Sequence, residues 1–150
     1  MSKIIVGVGN PLLGNDGIGI IIADMLRDMF KDIYYDIKIE SSMAGGIEIC
    51  EMIAGFDFAI IIDAYMGENE GNVRELSIDE YEGRVSHDVN FASAYNTLKN
   101  YIKMPELRII GIEISDVDFG EISEEVKKAI PVVLNKIEEI MREKNACRES

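Results

Sequence analysis

Three side chains of this sequence have the chemistry to bind a divalent first-row metal ion. Asp16 lies in a glycine-rich loop, Asp63 follows the apolar run of residues 58–62, and His87 is the only histidine. Two carboxylates and one imidazole form a partial shell for such an ion and leave coordination positions open for a substrate. Because the set has only three ligands and no thiolate, we expect weak or transient metal binding.

Each of these residues also has a simpler structural explanation. Asp is a preferred helix N-cap, so Asp16 is also a candidate cap for the helix after its loop. The simpler explanation for Asp63 is a strand-end carboxylate that accepts hydrogen bonds from loop amides. His87 lies between Ser86 and Asp88, and Ser86 is an alternative cap that would leave the imidazole exposed. A shared site is favoured because all three are expected at one edge of one sheet.

Other catalytic and binding motifs fit less well. The loop of residues 7–19 has Leu at position 12, where a G-x-G-x-x-G fingerprint needs Gly, and it has no Gly-Lys-Ser or Gly-Lys-Thr. We interpret most of its glycines as making a tight turn and a close helix approach. No G-x-S-x-G elbow occurs, and Cys50 lies in a helical apolar pattern. A Ser-His-Asp triad through Ser41 or Ser42 stays open, although no feature favours it.

Alternating strands and helices are predicted to position these residues. The strands are expected at 3–8, around Tyr35 to Ile39, at 58–62 with Asp63 as the end, and at 107–114, with an edge strand at 73–77. The first three helices are expected after the glycine loop, after a turn at Ala44, Gly45 and Gly46 and through about Ile53, and after His87. The third of these has Phe91, Tyr95, Leu98 and Ile102 on one face. The rest of residues 66–84 is predicted to be loop.

The last helix has the clearest pattern in the chain. Its apolar stripe consists of Val126, Ile130, Val133, Leu134, Ile137, Ile140 and Met141. Ser123 is the predicted N-cap, and two glutamates follow it near the positive end of the helix dipole. Pro131 is expected to kink or split the helix. We predict one domain over residues 1–143 and a flexible polar tail over residues 144–150.

Strands that alternate with helices predict an α/β fold. The expected architecture is a single three-layer domain with a mostly parallel, twisted sheet of about five strands flanked by helices. Ligands bind such sheets beyond the carboxyl ends of the strands, where the strand order reverses. If the first strand lies between the second and the third, Asp16 and Asp63 lie side by side.

Composition excludes some classes of partner. The formal net charge of −13 opposes binding to nucleic acid and to anionic membrane surfaces. The two cysteines, Cys50 and Cys147, do not form a disulfide framework, and reduced thiols fit a cytoplasmic location. No apolar stretch approaches the length of a membrane span. We therefore expect a soluble cytoplasmic protein.

Four ordered blocks of the sequence are typical of a known family. They are residues 9–19 (GNPLLGNDGIG), Asp63-Ala64, Ser86-His87, and a closing block with Gly111-Ile112-Glu113 and Asp118-Phe119-Gly120. The first is similar to the signature G-N-x-L-x-x-D-[DE]-x-x-G, the second to a strand-end acid, and the third to an S/T-x-H or S-H segment. Together, and nearly end to end, they resemble the hydrogenase maturation proteases, which remove a C-terminal extension from the large subunit of nickel-iron hydrogenases.

The resemblance implies a phosphorylase/hydrolase-like fold and a specific site. Asp16, Asp63 and His87 fall on the family's three metal-binding positions. Asn15 replaces an acid that is usual before Asp16, which lowers the local charge and leaves the ligand in place. The implied metal is nickel already inserted in the hydrogenase precursor, so the implied partner is that large-subunit precursor, and cleavage follows insertion. No organic cofactor is implied.

The mechanism stays open at this level. The metal ion is expected to orient the C-terminal segment of the precursor and to polarise the scissile carbonyl or a water. Asp16 or Asp63 is an alternative general base. Gly45, Gly46 and residues 66–84 are candidates for shaping a peptide groove. The region of Glu113 and Asp118 is predicted to be structural or rim-forming rather than catalytic.

Two alternative functions remain. Residues 6–11, VGVGNP, also resemble the opening of bacterial-type peptidyl-tRNA hydrolases. The Thr-Arg-His-Asn type segment of that family is missing, and the negative charge opposes tRNA binding. The other alternative is a chaperone that recognises a metallated precursor without cutting it, because the same three ligands would serve recognition alone.

Overall fold

The computed structural model describes residues 1–31, 33, 36–43, 45–84 and 91–149. Its strands are β1 (Lys3–Val8), β2 (Ile37–Ser42), β3 (Phe58–Met66), β4 (Val73–Leu76) and β5 (Glu106–Ile114). They form one five-stranded sheet in the order β2-β1-β3-β5-β4, in which β4 is antiparallel and the others are parallel. The predicted α/β fold and the edge strand are confirmed, and the first strand lies between the second and the third. Tyr35 lies outside the described residues.

Helices cover both faces of the sheet. They are a 3₁₀ helix (Gly14–Gly17), α1 (Ile18–Phe30), α2 (Gly46–Ile53), α3 (Ile78–Arg84), α4 (Phe91–Leu98) and α5 (Glu124–Glu149). Successive strand residues point to opposite faces. Ile60 and Ile62 therefore pack with α1 and α5, whereas Ala59 and Ile61 pack with α2, α3 and α4. Each fully buried isoleucine stabilises the fold by roughly 1.5–3 kcal/mol, so the central strands β3 and β5 contribute strongly to the core.

The third strand is longer than the sequence predicted. β3 pairs with β1 only as far as Ile62 opposite Gly7, but it pairs with β5 as far as Met66 opposite Ile114. The prediction that Asp63 ends the strand is therefore wrong. Asp63 is the first residue beyond the pairing with β1, and β5 still holds its backbone. Its carboxylate thus sits on a rigid element at the mouth of the sheet.

Residues 78–84 form α3, where the sequence analysis predicted loop. Ser77 and Glu80 make a reciprocal capping box, because the Ser77 hydroxyl accepts a bond from the Glu80 N–H and the Glu80 carboxylate accepts one from the Ser77 N–H, both at 3.1 Å. Tyr81 then buries its ring in the core. A second correction concerns Ile102, which lies beyond the end of α4 and is half exposed.

The last helix runs unbroken through its proline. The Ser123 hydroxyl accepts a bond from the Val126 N–H at 3.3 Å, so the predicted N-cap is confirmed. Pro131 lies inside α5 without splitting it, because the apolar stripe on both sides packs on the same sheet face. Residues 144–149, predicted as tail, continue the helix to Glu149. Lys144 pairs with Glu106, and its Nζ lies 4.6 Å from the centroid of the Phe58 ring.

Among the described residues, no helix is both long and apolar enough to span a membrane.

Candidate metal-binding and active site

Asp16 lies in the 3₁₀ helix between β1 and α1, and its side chain is buried. Its Oδ2 accepts a hydrogen bond from the backbone N–H of Asn10 at 2.9 Å. The N-cap residue of α1 is Gly17, so the interpretation of Asp16 as the helix cap is wrong. The carboxylate instead folds the loop back on itself, which fixes Asp16 just beyond the carboxyl end of β1.

Glycines bring this loop and α1 close to the sheet. A Cβ on Gly9 would lie 2.1 Å from the carbonyl oxygen of Asp16, and one on Gly19 would lie 2.5 Å from the carbonyl oxygen of Ile62. Only glycine allows backbones to approach so closely. The structure therefore confirms that these glycines serve a turn and a close helix approach. Because of these close approaches, the loop that holds Asp16 lies next to β3.

Asp63 lies next to the carboxyl end of β1 and is 2% exposed. Its Oδ1 accepts the N–H of Ala64 at 2.8 Å, and its Oδ2 accepts the hydroxyl of Tyr81 at 2.6 Å. Its neighbours at alternate positions, Ile61 and Tyr65, pack under α2, α3 and α4, so Asp63 points to that face. One donor from the strand and one from α3 thus orient the carboxylate.

Tyr81 is a site residue that the sequence analysis missed. It is almost completely buried, and its ring meets that of Phe91 edge to face at a centroid distance of 5.4 Å. Only the Ser77–Glu80 capping box could have indicated a helix here. No pattern in the sequence links Tyr81 to Asp63, because the contact depends on how α3 packs on the sheet.

His87 lies outside the described residues, as does Ser86. The described residues nearest to it in sequence with contacts at the site are Tyr81, which bonds Asp63, and Phe91, which packs on Tyr81. Among the described residues no group of three or more His, Cys, Asp or Glu side chains is arranged to hold a metal ion. This finding does not bear on the predicted set of Asp16, Asp63 and His87, because His87 lies outside the described residues.

Glu113 is buried on β5 and is held by several donors. Its Oε1 accepts the Tyr65 hydroxyl at 2.9 Å, and its Oε2 accepts the backbone N–H of Asn69. Burial, and then the bond to Glu113, raise the pKa of Tyr65, which keeps this phenol a donor. These contacts fasten the turn between β3 and β4. They agree with the predicted structural role of Glu113, and Asp118 is exposed on the rim.

A second polar network fastens the Asp16 loop. The Asn15 amide donates to Glu70 Oε1 at 2.9 Å and accepts the Ser123 N–H at 2.8 Å. Glu70 also accepts the hydroxyls of Ser115 and Ser123, each at 3.0 Å. The network joins the loop before α1, the β3–β4 turn and the start of α5. Asp16 is thus held from both sides, by Asn10 and through its neighbour Asn15.

The other residues singled out in the sequence lie in the core or at the carboxyl edge of the sheet. Cys50 is buried in the core cluster under α2, in agreement with its apolar pattern. Gly45 precedes α2 at the carboxyl edge of β2, and Gly46 is the buried first residue of that helix. Residues 67–72 form the only part of 66–84 that remains a turn, since β4 and α3 occupy most of the rest.

The chain matches known proteins along most of its length. A sequence model of the hydrogenase maturation protease family, HycI, matches residues 44–140. A putative hydrogenase maturation protease from Methanocaldococcus jannaschii is 30% identical over 93% of this chain and 88% of its own length. Protein FrxA of Pyrococcus furiosus is 30% identical over 87% of this chain and 98% of its own length.

Solved structures show the same fold. The hydrogenase maturating endopeptidase HybD of Escherichia coli superposes with a TM-score of 0.77 at 22% identity, covering 96% of this chain and 94% of its own. The hydrogenase maturation protease HycI of Thermococcus kodakarensis gives a TM-score of 0.71 at 22% identity, covering 94% and 92%. With the family match and the curated relatives, the chain belongs to the hydrogenase maturation proteases, a family of endopeptidases.

Proposed function

We propose that this endopeptidase removes the C-terminal extension of a nickel-iron hydrogenase large-subunit precursor after nickel insertion. Asp16, Asp63 and His87 would recognise the nickel, which arrives as part of the substrate. The observation that carries the proposal is the placement of two buried carboxylates, Asp16 and Asp63, at the carboxyl ends of neighbouring strands. That edge is where parallel α/β sheets bind their ligands.

The burial of the two carboxylates supports a cationic ligand. A buried carboxylate is costly unless hydrogen bonds or an opposite charge compensate it. Asn10, Ala64 and Tyr81 supply hydrogen bonds and orient the two groups. A divalent cation at the mouth would supply the opposite charge. Because the carboxylates are already fixed, little ordering would be required when the metal arrives.

His87 would complete the set with an imidazole. It lies six residues beyond Tyr81 and four before Phe91 in sequence, and those two residues contact each other beside Asp63. Carboxylate and imidazole ligands suit nickel and zinc alike. The preference for nickel therefore rests on the family's role.

Two roles in the cleavage step remain for the chain's own carboxylates. In one, Asp16, Asp63 and His87 hold the metallated precursor so that its C-terminal segment lies across the mouth of the sheet. In the other, Asp16 or Asp63 also accepts a proton from the attacking water. Both oxygens of Asp63 already accept hydrogen bonds, from Ala64 and Tyr81, whereas the bond described for Asp16 involves Oδ2 alone. This difference favours Asp16 as the base and Asp63 as an oriented ligand.

The partner in this proposal is the precursor protein, in the cytoplasm. The acidic composition supports a protein substrate over nucleic acid. The family assignment likewise favours peptide cleavage over the peptidyl-tRNA hydrolase alternative.

The test compares nickel-loaded and nickel-free precursor. Each is incubated with the protein, and the products are weighed by mass spectrometry. We expect loss of the C-terminal extension only from the nickel-loaded form. Binding of that form without a change of mass would support a non-cleaving chaperone and overturn the proposal.

Variants then test the three ligands one by one. Asp16→Asn, Asp63→Asn and His87→Ala should each abolish processing while the far-ultraviolet circular dichroism spectrum is retained. Asp24→Asn is the matched control, because Asp24 is an exposed carboxylate on α1 that pairs with Arg27. Normal processing by any one of the three ligand variants would remove that residue from the site.

A further inference from the structure

Exposed apolar side chains cluster at the edge of the sheet that holds the site. Six of them, here called the apolar rim, are Leu12, Met43, Ile47, Met66, Val117 and Phe119. The exposure is substantial, since Phe119 is 83% and Leu12 is 68% exposed. Single exposed apolar residues are ordinary, but several around one mouth indicate a surface that is covered during function.

Topology puts the members of the rim around one mouth. Leu12 follows β1, Met43 follows β2, Met66 ends β3, and Phe119 follows β5, and all four of these strands are parallel. Their carboxyl ends therefore meet at the same edge of the sheet.

Backbone contacts draw these loops together. A bridge between Leu13 and Gly120 joins the loop of Leu12 to the loop of Phe119. The N–H of Gly9 bonds the carbonyl of Ser42, which joins the first loop to the residue before Met43. The rim thus borders the loop that holds Asp16.

The segments that carry the apolar rim have charges of one sign only. The chain has 15 Lys and Arg residues, but none of them falls in residues 9–17, 43–48, 66–72 or 115–123. The same segments include exposed acids, which are Glu48, Glu68, Asp116, Asp118 and Glu121. Lys127 of α5 lies beside these loops, where it lines a pocket with Pro11 and Glu121 and pairs with Glu124. A surface that combines exposed apolar groups with an excess of carboxylates is complementary to a cationic, apolar partner.

We propose that the apolar rim docks a segment of the protein substrate in which apolar side chains alternate with Lys or Arg. The rim would bury the apolar side chains, and the surrounding carboxylates would attract the basic ones. The identity of the partner as a protein substrate rests on the proposed function. A second copy of this chain is a poorer occupant, because both copies would present the same acidic edge and a net charge of −13.

The first test uses three fluorescent synthetic peptides of equal length. One alternates leucine with lysine, the second has glutamate for every lysine, and the third has serine for every leucine. Fluorescence anisotropy should show binding of the leucine–lysine peptide only, weakening as salt is added because the charges are exposed. Equal binding of the leucine–lysine and leucine–glutamate peptides would overturn the proposal.

The second test removes one member of the rim. Phe119→Ser should weaken binding of the leucine–lysine peptide roughly tenfold, which corresponds to about 1.4 kcal/mol. Tyr101→Ser is the matched control, because Tyr101 is 81% exposed but precedes β5 and so lies at the opposite edge. Equal effects of the two substitutions would remove the rim from recognition. A concentration-dependent dimer in sedimentation that Phe119→Ser abolishes would assign the rim to self-association and overturn the proposal.

Kinetic constants for precursor processing distinguish docking from cleavage. Phe119→Ser should raise KM for precursor processing and leave kcat near that of the wild type. Asp63→Asn should bind the leucine–lysine peptide normally although it processes nothing. If the wild type binds the peptide but never cleaves the precursor, the proposed function fails while the docking surface stands. If it cleaves and Phe119→Ser has an unchanged KM, the docking surface fails while the function stands.

Discussion

The hydrogen bond between Tyr81 and Asp63 offers a sharp test of how the site is held. Tyr81→Phe removes one hydroxyl and keeps the ring that packs on Phe91. Tyr95→Phe is the matched control, because Tyr95 lies in the same apolar cluster and its hydroxyl donates to the Pro105 carbonyl, also at 2.6 Å. The two changes delete the same atom at the same distance. They differ in the acceptor, a carboxylate in one case and a peptide carbonyl in the other.

The expected magnitudes follow from that difference. A hydrogen bond to a charged group contributes about 1.5–3 kcal/mol to stability, whereas one to a neutral group contributes about 0.5–1.5 kcal/mol. For a chain of this size the melting temperature falls by roughly 2–4 °C for each kcal/mol lost. Tyr81→Phe should therefore lower Tm by about 3–12 °C and Tyr95→Phe by about 1–6 °C.

The assay combines calorimetry with precursor processing. Both variants are melted at neutral pH, and both are tested for removal of the C-terminal extension from nickel-loaded precursor. Only Tyr81→Phe should lower kcat, because only Tyr81 orients a proposed metal ligand; neither change should raise KM. A Tm loss for Tyr95→Phe equal to that for Tyr81→Phe, together with equal processing rates, would refute the view that Tyr81 positions Asp63.

Three further predictions concern the stability of the fold. Ser123→Ala should cost about 1–2 kcal/mol in denaturant unfolding, since it removes the N-cap of α5 and one donor to the Glu70 network. Gly14→Ala should destabilise more than Gly55→Ala in the same assay: both have positive φ, at 53° and 88°, but only at Gly14 would the new Cβ meet a backbone oxygen, at 2.5 Å. Hydrogen bonds from Lys103 and Ser2 hold the pKa of Asp57 at about 2. Its stabilisation is therefore present at neutral pH and lost as pH falls from about 4 through about 2, so Asp57→Asn should lower Tm at neutral pH, and this difference from the wild type should shrink progressively as pH falls through that range.

The sheet was predictable because local patterns specify it directly. The unbroken apolar run at residues 58–62 indicates a strand buried on both faces, and the structure has it at the centre. The glycines between the first strand and the first helix indicate a close backbone approach, which the structure shows at Gly19. These features depend on residues close together in sequence, so a single amino-acid sequence is enough to recognise them.

The end of β3 was not predictable in the same way. Residues 63–66 begin with the carboxylate of Asp63, which locally favours the end of a buried strand. They stay in the strand because β5 pairs with them as far as Met66, and because Tyr65 finds a partner in Glu113, 48 positions away. Tertiary pairing therefore overrides local composition at the point where the site begins.

The same distinction between local pattern and tertiary contact applies to the candidate site. Asp16 and Asp63 could be named from their positions after two strands, and the structure keeps both at the carboxyl edge, although each has a different local role from the simplest one. Asp16 bonds Asn10 instead of capping α1, and Asp63 bonds Tyr81 from α3. The type of side chain was readable from the sequence. The donors that orient it were not, because the Asn10 N–H reaches Asp16 only when the loop folds back and the Tyr81 hydroxyl comes from another element, α3.

Asn15 stands where the signature that this loop resembles has an acid, and its contacts give a physical reason for the amide. An acid at this position would face Glu70 across the 2.9 Å now spanned by an amide donor, and two carboxylates at that distance repel. The asparagine donates to Glu70 and accepts from the Ser123 N–H, which one carboxylate cannot do. The exchange of an acid for an amide therefore keeps the loop closed while Glu70 supplies the negative charge nearby. Position 15 and position 70 are best understood as one unit that fixes the backbone next to Asp16.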